Sequence, residues 1–398
     1  MDSPALPRPA LIRAAGGDYT FGIEEEFFVS NSQTRNTCRA LPKAFIKTCR
    51  SALGDTLDRE LLQSQIEIVS PDFTDRGEAR KTLRFCRATL GEIAGGHGLS
   101  IVASGTHPNA VWREQRATDA ARYDKLMHDL QMLGARNMVC GLHVHVGVPD
   151  PERRVSLMTR IIPFIPLLLA LSTSSPFWQA RRTGLMGYRL AAYDELPRTG
   201  LPDLFESAAD YQLYVDAMVQ AGAIADASFV WWAVRPSLAH PTLELRVADS
   251  CTHVEDTLAI AALFRALVRR LDRDPAINAH MTAASRAIAV ENKWRAQRYG
   301  IHGSFVDEGR RGAIGVGQAL EEAIDLAGED ARQLSCLDEM LSARDIIARG
   351  TSADRQLDIY RERRGSGLAR PPALAAVVDW LGKATIGGGP HLHHSLTH

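Results

Sequence analysis

The chain has 398 residues, 45% of them hydrophobic and 23% charged, with a formal net charge of −1. That length buries one large core or two intimate ones. The near-neutral balance excludes a broad basic field for nucleic acid and an acidic solvating tail, so partners are expected among small molecules or proteins. Cysteines at 38, 49, 86, 140, 251 and 336 contain no Cys-x-x-Cys pair and form no disulfide framework. Reduced thiols and a cytoplasmic setting are therefore expected.

In chain order, residues 1–18 hold three prolines and no apolar signal core, and read as a flexible arm. From Tyr19 the text YTFGIEEEFFVS is strand-like and meets a turn signal at Asn31-Ser32. A second strand is expected within residues 61–70, ended by Pro71. Asp75 and Glu78 mark a helix start, with Leu83, Leu90 and Ile93 as its apolar stripe. Residues 99–106 read as a strand, 119–134 as a helix and 138–148 as an alternating strand. A long helix is expected from about Glu152 to Ser172. Its greasiest part, Ile161 to Leu171, is well short of the roughly 20 apolar residues that span a bilayer, so it reads as buried.

Residues 174–203 are rich in Gly, Pro, Arg and aromatics without periodicity, which marks a functional loop. Residues 241–250 form the next strand. Thr252 and Glu255 then make a capping box for a helix with Leu258, Ala262, Leu263, Ala266 and Leu267 on one side. More helix follows to about Ile346. Residues 19–383 read as a single catalytic domain and 384–398 as a disordered tail, with His391, His393, His394 and His398 functionally silent. Strands separated by long helices, with few tight turns, give an α+β sheet packed under helices; the strand order is not readable.

Four of these strands are apolar on one face and ionic on the other, because residues i and i+2 of a strand share a face. Glu24 and Glu26 point together, opposite Ile23 and Phe27. His143 and His145 lie opposite Leu142, Val144 and Val146. Glu244 and Arg246 lie opposite Leu243, Leu245 and Val247. Glu67 shares a face with Gln63 and Gln65. Any one of these taken alone is what a half-solvated strand looks like. Three consecutive glutamates with no lysine nearby are harder to explain as surface. Clustered carboxylates with histidine are what hard divalent cations need. A zinc site at His143-x-His145 would want further His or Cys at short spacing, and none is present.

Arginines add a second theme. Arg181, Arg182, Arg189 and Arg198 fall in the irregular middle, Arg246 beside Glu244, and Arg295 and Arg298 flank Trp294. Arginine's planar fork suits phosphate and carboxylate, although the loop arginines alone are also compatible with surface salt bridging. Metal-binding glutamates with anion-binding arginines describe a site that gathers several negative groups, the problem posed by phosphoryl transfer to a carboxylate. Cys140 and the pair Trp231 and Trp232 read as packing residues.

The segments G-x-E-x-E-F-F at 22–28, Glu60 with Gln65-Ile-Glu67, G-L-H-V-H-V-G at 141–147 and T-L-E-L-R at 242–246 occur in an order that resembles the glutamine synthetase superfamily. The text between is similar to its carboxylate–amine ligase branch, the type 2 glutamate–cysteine ligase family: R-x-x-x-x-x-x-P-R-T-G at 189–200, L-R-V-A-D-S at 245–250, E-N-K-W-R-A-Q-R-Y-G at 291–300 and G-T-S-A-D-R-Q at 350–356. The resemblance runs from about residue 19 to 365. It implies a glutamine synthetase-like curved, mainly antiparallel sheet with helices packed on its outer face and the site on the concave side. It further implies that Glu26, Glu60 and Glu67 hold one Mg²⁺ and Glu24, His143 and Glu244 a second, with Mn²⁺ as a substitute. His145 is then expected near the ATP, Arg246 on phosphate, Arg189 and Arg198 on the acid or phosphoryl group, and Trp294, Arg295 and Arg298 on the nucleotide.

The activity implied is ATP-dependent ligation of an acid (glutamate by family name) to an amine (cysteine or another amino compound) through an acyl phosphate. The partners implied are those small molecules, with no nucleic acid or membrane, and a homodimer or larger homo-oligomer as the family-level expectation. Glu60 lies seven residues before Glu67, so a bulge or loop must intervene for both to face one metal. Asp249 is acidic and close by, but nothing makes it the base. A metal-dependent hydrolase with the same glutamates and histidines, and a non-catalytic regulatory homologue, are the competing readings.

Overall fold

The computed structural model describes residues 19–119 and 121–387. The expected arm at 1–18 and the tail histidines lie outside the described residues. Seven strands build one sheet: β1 (Phe21–Asn31), β2 (Leu57–Arg59), β3 (Gln65–Val69), β4 (Leu99–Val102), β5 (Gly141–Gly147) and, beyond a hairpin of β6 (Phe177–Trp178) and β7 (Arg181–Arg182), β8 (Val234–Pro236) and β9 (Thr242–Asp249). Their order is β2-β3-β1-β5-β9-β8, with β4 pairing the second half of β1. Every pairing is antiparallel. A further hairpin joins β10 (Ser304–Asp307) to β11 (Gly312–Gly315).

The helices in chain order are α1 (Lys43–Leu53), α2 (Arg76–Gly96), α3 (Ala121–Leu130), α4 (Met132–Arg136), α5 (Pro151–Arg160), α6 (Ile165–Ser172), α7 (Tyr188–Tyr193), α8 (Ala208–Gln220), α9 (Val254–Arg273), α10 (Ala283–Tyr299), α11 (Val316–Gln333), α12 (Leu337–Leu341), α13 (Ala343–Arg349), α14 (Ser352–Gly365) and α15 (Arg370–Thr385). The last of them runs past 384, where the tail was expected to begin.

Alternation places the apolar residues of the strands on the outer face. Ile23 and Phe27 of β1, Ile66 and Ile68 of β3, Leu142, Val144 and Val146 of β5, and Leu243 and Leu245 of β9 are all buried. Helices α2, α5, α6, α9 and α15 contact the strands. Each such side chain withdrawn from water contributes roughly 1.5–3 kcal/mol, which fixes the register of every strand it sits on. The opposite face is left to the polar residues.

Several local features follow the sequence and others do not. Asp75 caps α2 as expected, its carboxylate accepting from the N–H groups of Gly77 and Glu78. The single helix expected over 152–172 is instead broken: α5 ends at Arg160, a short 3₁₀ turn spans Ile162–Phe164, and α6 begins at Ile165, with a bend of 46°. Pro163 and Pro166 cause this, since each lacks an N–H and is tolerated only in a first turn. The capping box expected at Thr252 and Glu255 does not form. His253 occupies the cap position of α9. The Thr252 hydroxyl bonds the Ala103 carbonyl, and Glu255 pairs with Arg80 and Arg84. Among the described residues no single helix is long and apolar enough to cross a membrane. All six cysteines are free thiols.

Candidate active site

The inner face of the sheet is where the ionic residues converge. Antiparallel register sets Glu26 opposite Glu67 and Glu24 opposite His143. His145 stands opposite Glu244 on β9. Between these two pairs the β5–β9 ladder slips: Leu142 pairs Ala248 but Val144 pairs Leu245, so Arg246 and Val247 together oppose His143. This bulge frees carbonyls and turns Arg246 inward. Glu60, on the connection between β2 and β3, folds back beside Glu67, which meets the geometric demand noted in the sequence.

Glu24, Glu26, Glu60, Glu67, His143 and Arg246 line a polar cavity of about 330 Å³, with Arg189, Arg235, Tyr193 and Trp231 on its other walls. A larger cavity of about 780 Å³ lies among α10, α11 and the β10–β11 hairpin. It contains none of the expected site residues, so chemistry and not size selects the smaller one.

Three groups of side chains each bring one ligand atom per residue within 4.8 Å of one another: Glu26 with Glu60 and Glu67, Glu24 with Glu67 and His143, and Glu24 with His145 and Glu244. The first is the trio expected for one metal. The second expected trio is redistributed, because His145, not His143, stands across from Glu244. His143 Nδ1 lies 3.0 Å from Glu24 Oε2, and His145 Nε2 lies 3.3 Å from Glu24 Oε1.

The electrostatics show an unbalanced site at one end. Burial, then the charge of Glu26 and neighbouring acids, pushes Glu60 up to about 8. Burial and Glu60 push Glu67 well above the usual carboxylate range. At the other end burial opposes ionisation, but Arg235 and Arg246 hold Glu244 low, and the imidazoles of His145 and His143 do the same for Glu24. The buried Nε2 atoms lie 3.3 Å (His145, from Glu24) and 3.6 Å (His143, from Glu26) from a carboxylate oxygen without completing a hydrogen bond. Crowded carboxylate oxygens that repel one another, with imidazole nitrogens left unsatisfied, are the donor set of a hard divalent cation.

The arginines divide. Arg246 bonds Glu244. Arg235, which sequence reasoning missed, grips the same carboxylate from β8 through Nε at 2.8 Å and Nη2 at 3.2 Å. Arg189 is buried in α7. Its Nη1 donates to the carbonyl of Arg246 at 3.1 Å, one of those the bulge exposes. Its guanidinium lies over Gly141, where a Cβ would collide with it. That glycine's N–H also reaches Glu26 at 2.6 Å, so β5 can carry no side chain there.

Arg198 stands outside the cavity. Its Nε bonds the Phe229 carbonyl at 3.0 Å, and its guanidinium lies over the Trp231 ring. Trp231 itself lines the cavity, whereas Trp232 packs with Tyr214 and Phe205. Trp294, Arg295 and Arg298, expected on the nucleotide, are not among the residues that line this cavity. Trp294 is half exposed on α10, Arg295 braces Ser304 of β10, and Arg298 rests over Tyr299. Asp249 is sealed from the cavity. Its carboxylate accepts from Ser174 N–H at 3.0 Å and Ser175 Oγ at 2.6 Å, and that hydroxyl accepts from the N–H of Arg189. It supports the loop that carries Arg189. Cys140 is buried and accepts from Gln65.

The inner face of the antiparallel sheet thus carries a carboxylate–histidine cluster and an arginine clamp. The fold is similar to a glutamate–cysteine ligase from Francisella tularensis solved in complex with AMP, with a TM-score of 0.66, 13% identity and coverage of 92% of this chain and 93% of that one. It is also similar to a bifunctional glutathione synthetase from Pasteurella multocida, with a TM-score of 0.68 over 92% of this chain and 53% of that one.

The chain belongs to glutamate–cysteine ligase family 2 (GCS2), whose family model matches residues 20–370. Relatives include proteins named "Putative glutamate--cysteine ligase 2". The one from Bradyrhizobium diazoefficiens is 46% identical over 98% of this chain and 90% of its own length. Another, from Rhodospirillum rubrum, is 44% identical over 92% and 96%.

Proposed function

We propose that the protein joins a carboxylic acid to an amine at the expense of ATP, through an acyl phosphate, with Mg²⁺ or Mn²⁺ held by the glutamate–histidine clusters. The observation that carries this reading is the meeting of carboxylate clusters and three arginines, Arg189, Arg235 and Arg246, in one cavity. A hydrolase using the same clusters would have no need of that anion clamp, and a non-catalytic homologue would have no reason to keep every expected metal ligand. The family description names glutamate and cysteine, and these are the first acid and amine to try.

In the first step the acid's carboxylate oxygen attacks the γ-phosphorus of ATP and ADP leaves. In the second, an amine that has lost one proton from its ammonium attacks the acyl carbon, and phosphate leaves as the amide forms. A divalent cation, when bound, neutralises charge on the phosphoryl and carboxylate oxygens. The chain's own residues orient the rest. Arg235 and Arg246 fix Glu244 and face the cavity, where Arg246 Nε is buried without a partner and is available to a phosphoryl oxygen as charge develops. Arg189, immobilised by backbone carbonyls and with its Nε also unpartnered, suits the acid's carboxylate. Asp249 is excluded as the base by its burial.

Hydroxylamine traps an acyl phosphate whatever the natural amine. With ATP, Mg²⁺ and a panel of amino and other carboxylic acids, at least one acid should yield ADP and its hydroxamate mass. No ADP with any acid, together with no nucleotide binding, would overturn the reading.

A further inference from the structure

One motif of the sequence, G-T-S-A-D-R-Q at 350–356, has no place in the cavity: none of its residues lines it. It forms the turn between α13 and α14. Gly350 ends α13 at φ +89°, a backbone conformation that side chains rarely adopt, and a Cβ there would lie 3.1 Å from that of Asp354. Thr351 and Asp354 form the capping box that opens α14, Asp354 Oδ2 accepting from the Thr351 N–H at 2.8 Å. Gln356, in the next turn of the helix, is fully buried.

The motif meets a piece of irregular backbone, Thr173-Ser174-Ser175, which follows α6 and is completely buried. Buried backbone outside a helix or sheet needs a partner for each polar group. Here the partners come from three directions. From the motif, the Ala353 N–H donates to the Thr173 carbonyl at 3.1 Å, and Gln356 Nε2 donates to the Ser174 carbonyl at 2.7 Å. From the end of β9, the Asp249 carboxylate accepts from the Ser174 N–H and the Ser175 hydroxyl. From the start of α7, the Tyr188 N–H donates to the Ser175 carbonyl, and the Arg189 N–H donates to the Ser175 hydroxyl oxygen at 2.9 Å. Gln356 therefore grips the peptide unit that leads into Ser175, the residue on which Arg189 is seated.

Burial alone does not ask for glutamine at 356. Methionine fills a similar volume without polar groups, whereas the buried Oε1 of this glutamine has no hydrogen-bond partner, at a cost in stability. What glutamine adds is direction. Its Nε2 also lies 3.2 Å from Ser352 Oγ, which is 2.6 Å from Thr252 Oγ1. The amide is thus fixed between α14 and the loop that follows β9. A buried polar network of this kind specifies one arrangement of the groups it joins.

We propose that residues 350–356 are a latch, with Gln356 as its bolt, that sets the place of Arg189 from outside the cavity. Gln356 is a positioning residue, acting on the acid substrate through Arg189. This rests on the ligase reading, in which Arg189 meets the acid's carboxylate.

The test is Gln356→Met, which keeps the volume and removes the bond, beside Leu374→Ala, a buried truncation in α15, the helix packed on α14. With the acid identified by hydroxylamine trapping, kcat/KM for that acid should fall about tenfold in Gln356→Met, the worth of one buried hydrogen bond. Both kcat and the KM for ATP should stay within about twofold of wild type. Leu374→Ala should lose at least as much thermal stability and keep the wild-type kcat/KM for the acid. In an Arg189→Lys background, Gln356→Met should lower kcat/KM for the acid no further.

A second measurement needs no turnover. In hydrogen exchange, the amides of residues 174–189 should open about tenfold faster in Gln356→Met and at the wild-type rate in Leu374→Ala. Gln356→Asn, whose shorter side chain withdraws the donor, gives the same readouts should the methionine variant not fold. An unchanged kcat/KM for the acid, an equal rise in the KM for ATP, the same kinetic loss in Leu374→Ala, or an undiminished effect in the Arg189→Lys background would each overturn the proposal. If no acid elicits ADP in wild type, the ligase reading fails and the exchange decides. Faster opening at 174–189 confined to the Gln356 variant would keep the latch, and equal opening in all three proteins would remove it.

Discussion

Three consecutive glutamates on β1 have two different fates. Glu25 points outward into the helical layer, where the Arg87 guanidinium of α2 meets it at 2.6 and 3.0 Å and Thr257 adds a hydroxyl at 2.7 Å. Arg87 also donates to the carbonyls of Cys251 and Thr252. Every strong group there has a partner within the fold. Glu24 and Glu26 point inward, among Glu60, Glu67 and two imidazoles with unpartnered nitrogens. The residue type is the same and so is the strand. What separates a structural charge from a functional one is whether the protein itself completes its coordination.

That contrast yields opposite mutational signatures. On the proposed function, Glu26→Gln should abolish ADP formation, by at least about a thousandfold, because it removes one charge from the Glu26–Glu60–Glu67 trio that would hold a cation. Its thermal midpoint should stay the same or rise, since Glu26 is one of the charges that hold Glu60 up. Turnover near wild type, measured beside a melting curve, would remove Glu26 from the site. Glu25→Gln should do the reverse. It strands the buried Arg87 charge and should cost about 3–5 kcal/mol of stability in chemical denaturation, while ADP formation per folded molecule persists. A stable Glu25→Gln protein would mean that Arg87 finds sufficient partners in backbone carbonyls alone.

How far the sequence could be read follows the range of the interactions. Period-two alternation is local, so the inward direction of Glu24, Glu26, His143, His145 and Glu244 was legible before any fold was known. So were the Asp75 cap and the family motifs. Pairings set by register were not. That His145 and not His143 faces Glu244 depends on a bulge, which a single strand cannot announce. Arg235 was missed because β8 is three residues long and ends in Pro236, too short for alternation to show. The partner of Glu25 lies 62 residues away on a helix. Trp294, Arg295 and Arg298 form a conspicuous cluster in the text, but α10 turns them toward solvent and the β10–β11 hairpin. Composition alone carries no information about which way a helix faces.

The inner face of β1 sharpens the comparison further along, where Phe28 and Ser30 succeed the glutamates. His107 packs edge-on against Phe28 and its Nε2 lies 2.8 Å from Ser30 Oγ. It is a buried histidine with no carboxylate beside it, and burial lowers its pKa to about 3. A group held neutral in the fold but free to protonate when unfolded near 6.5 draws the equilibrium toward the unfolded chain in acid. Its contribution is fully present above pH 6.5 and is lost as pH falls from there toward 3. Between pH 7 and pH 5 the loss should be about 2 kcal/mol. His107→Gln, which does not titrate, should show a correspondingly smaller fall in denaturation free energy over that interval than wild type. If both proteins lose stability in parallel, His107 is reached by solvent or by a counter-charge on protonation, and the division of β1 into a charged site and a neutral extension would have to be redrawn.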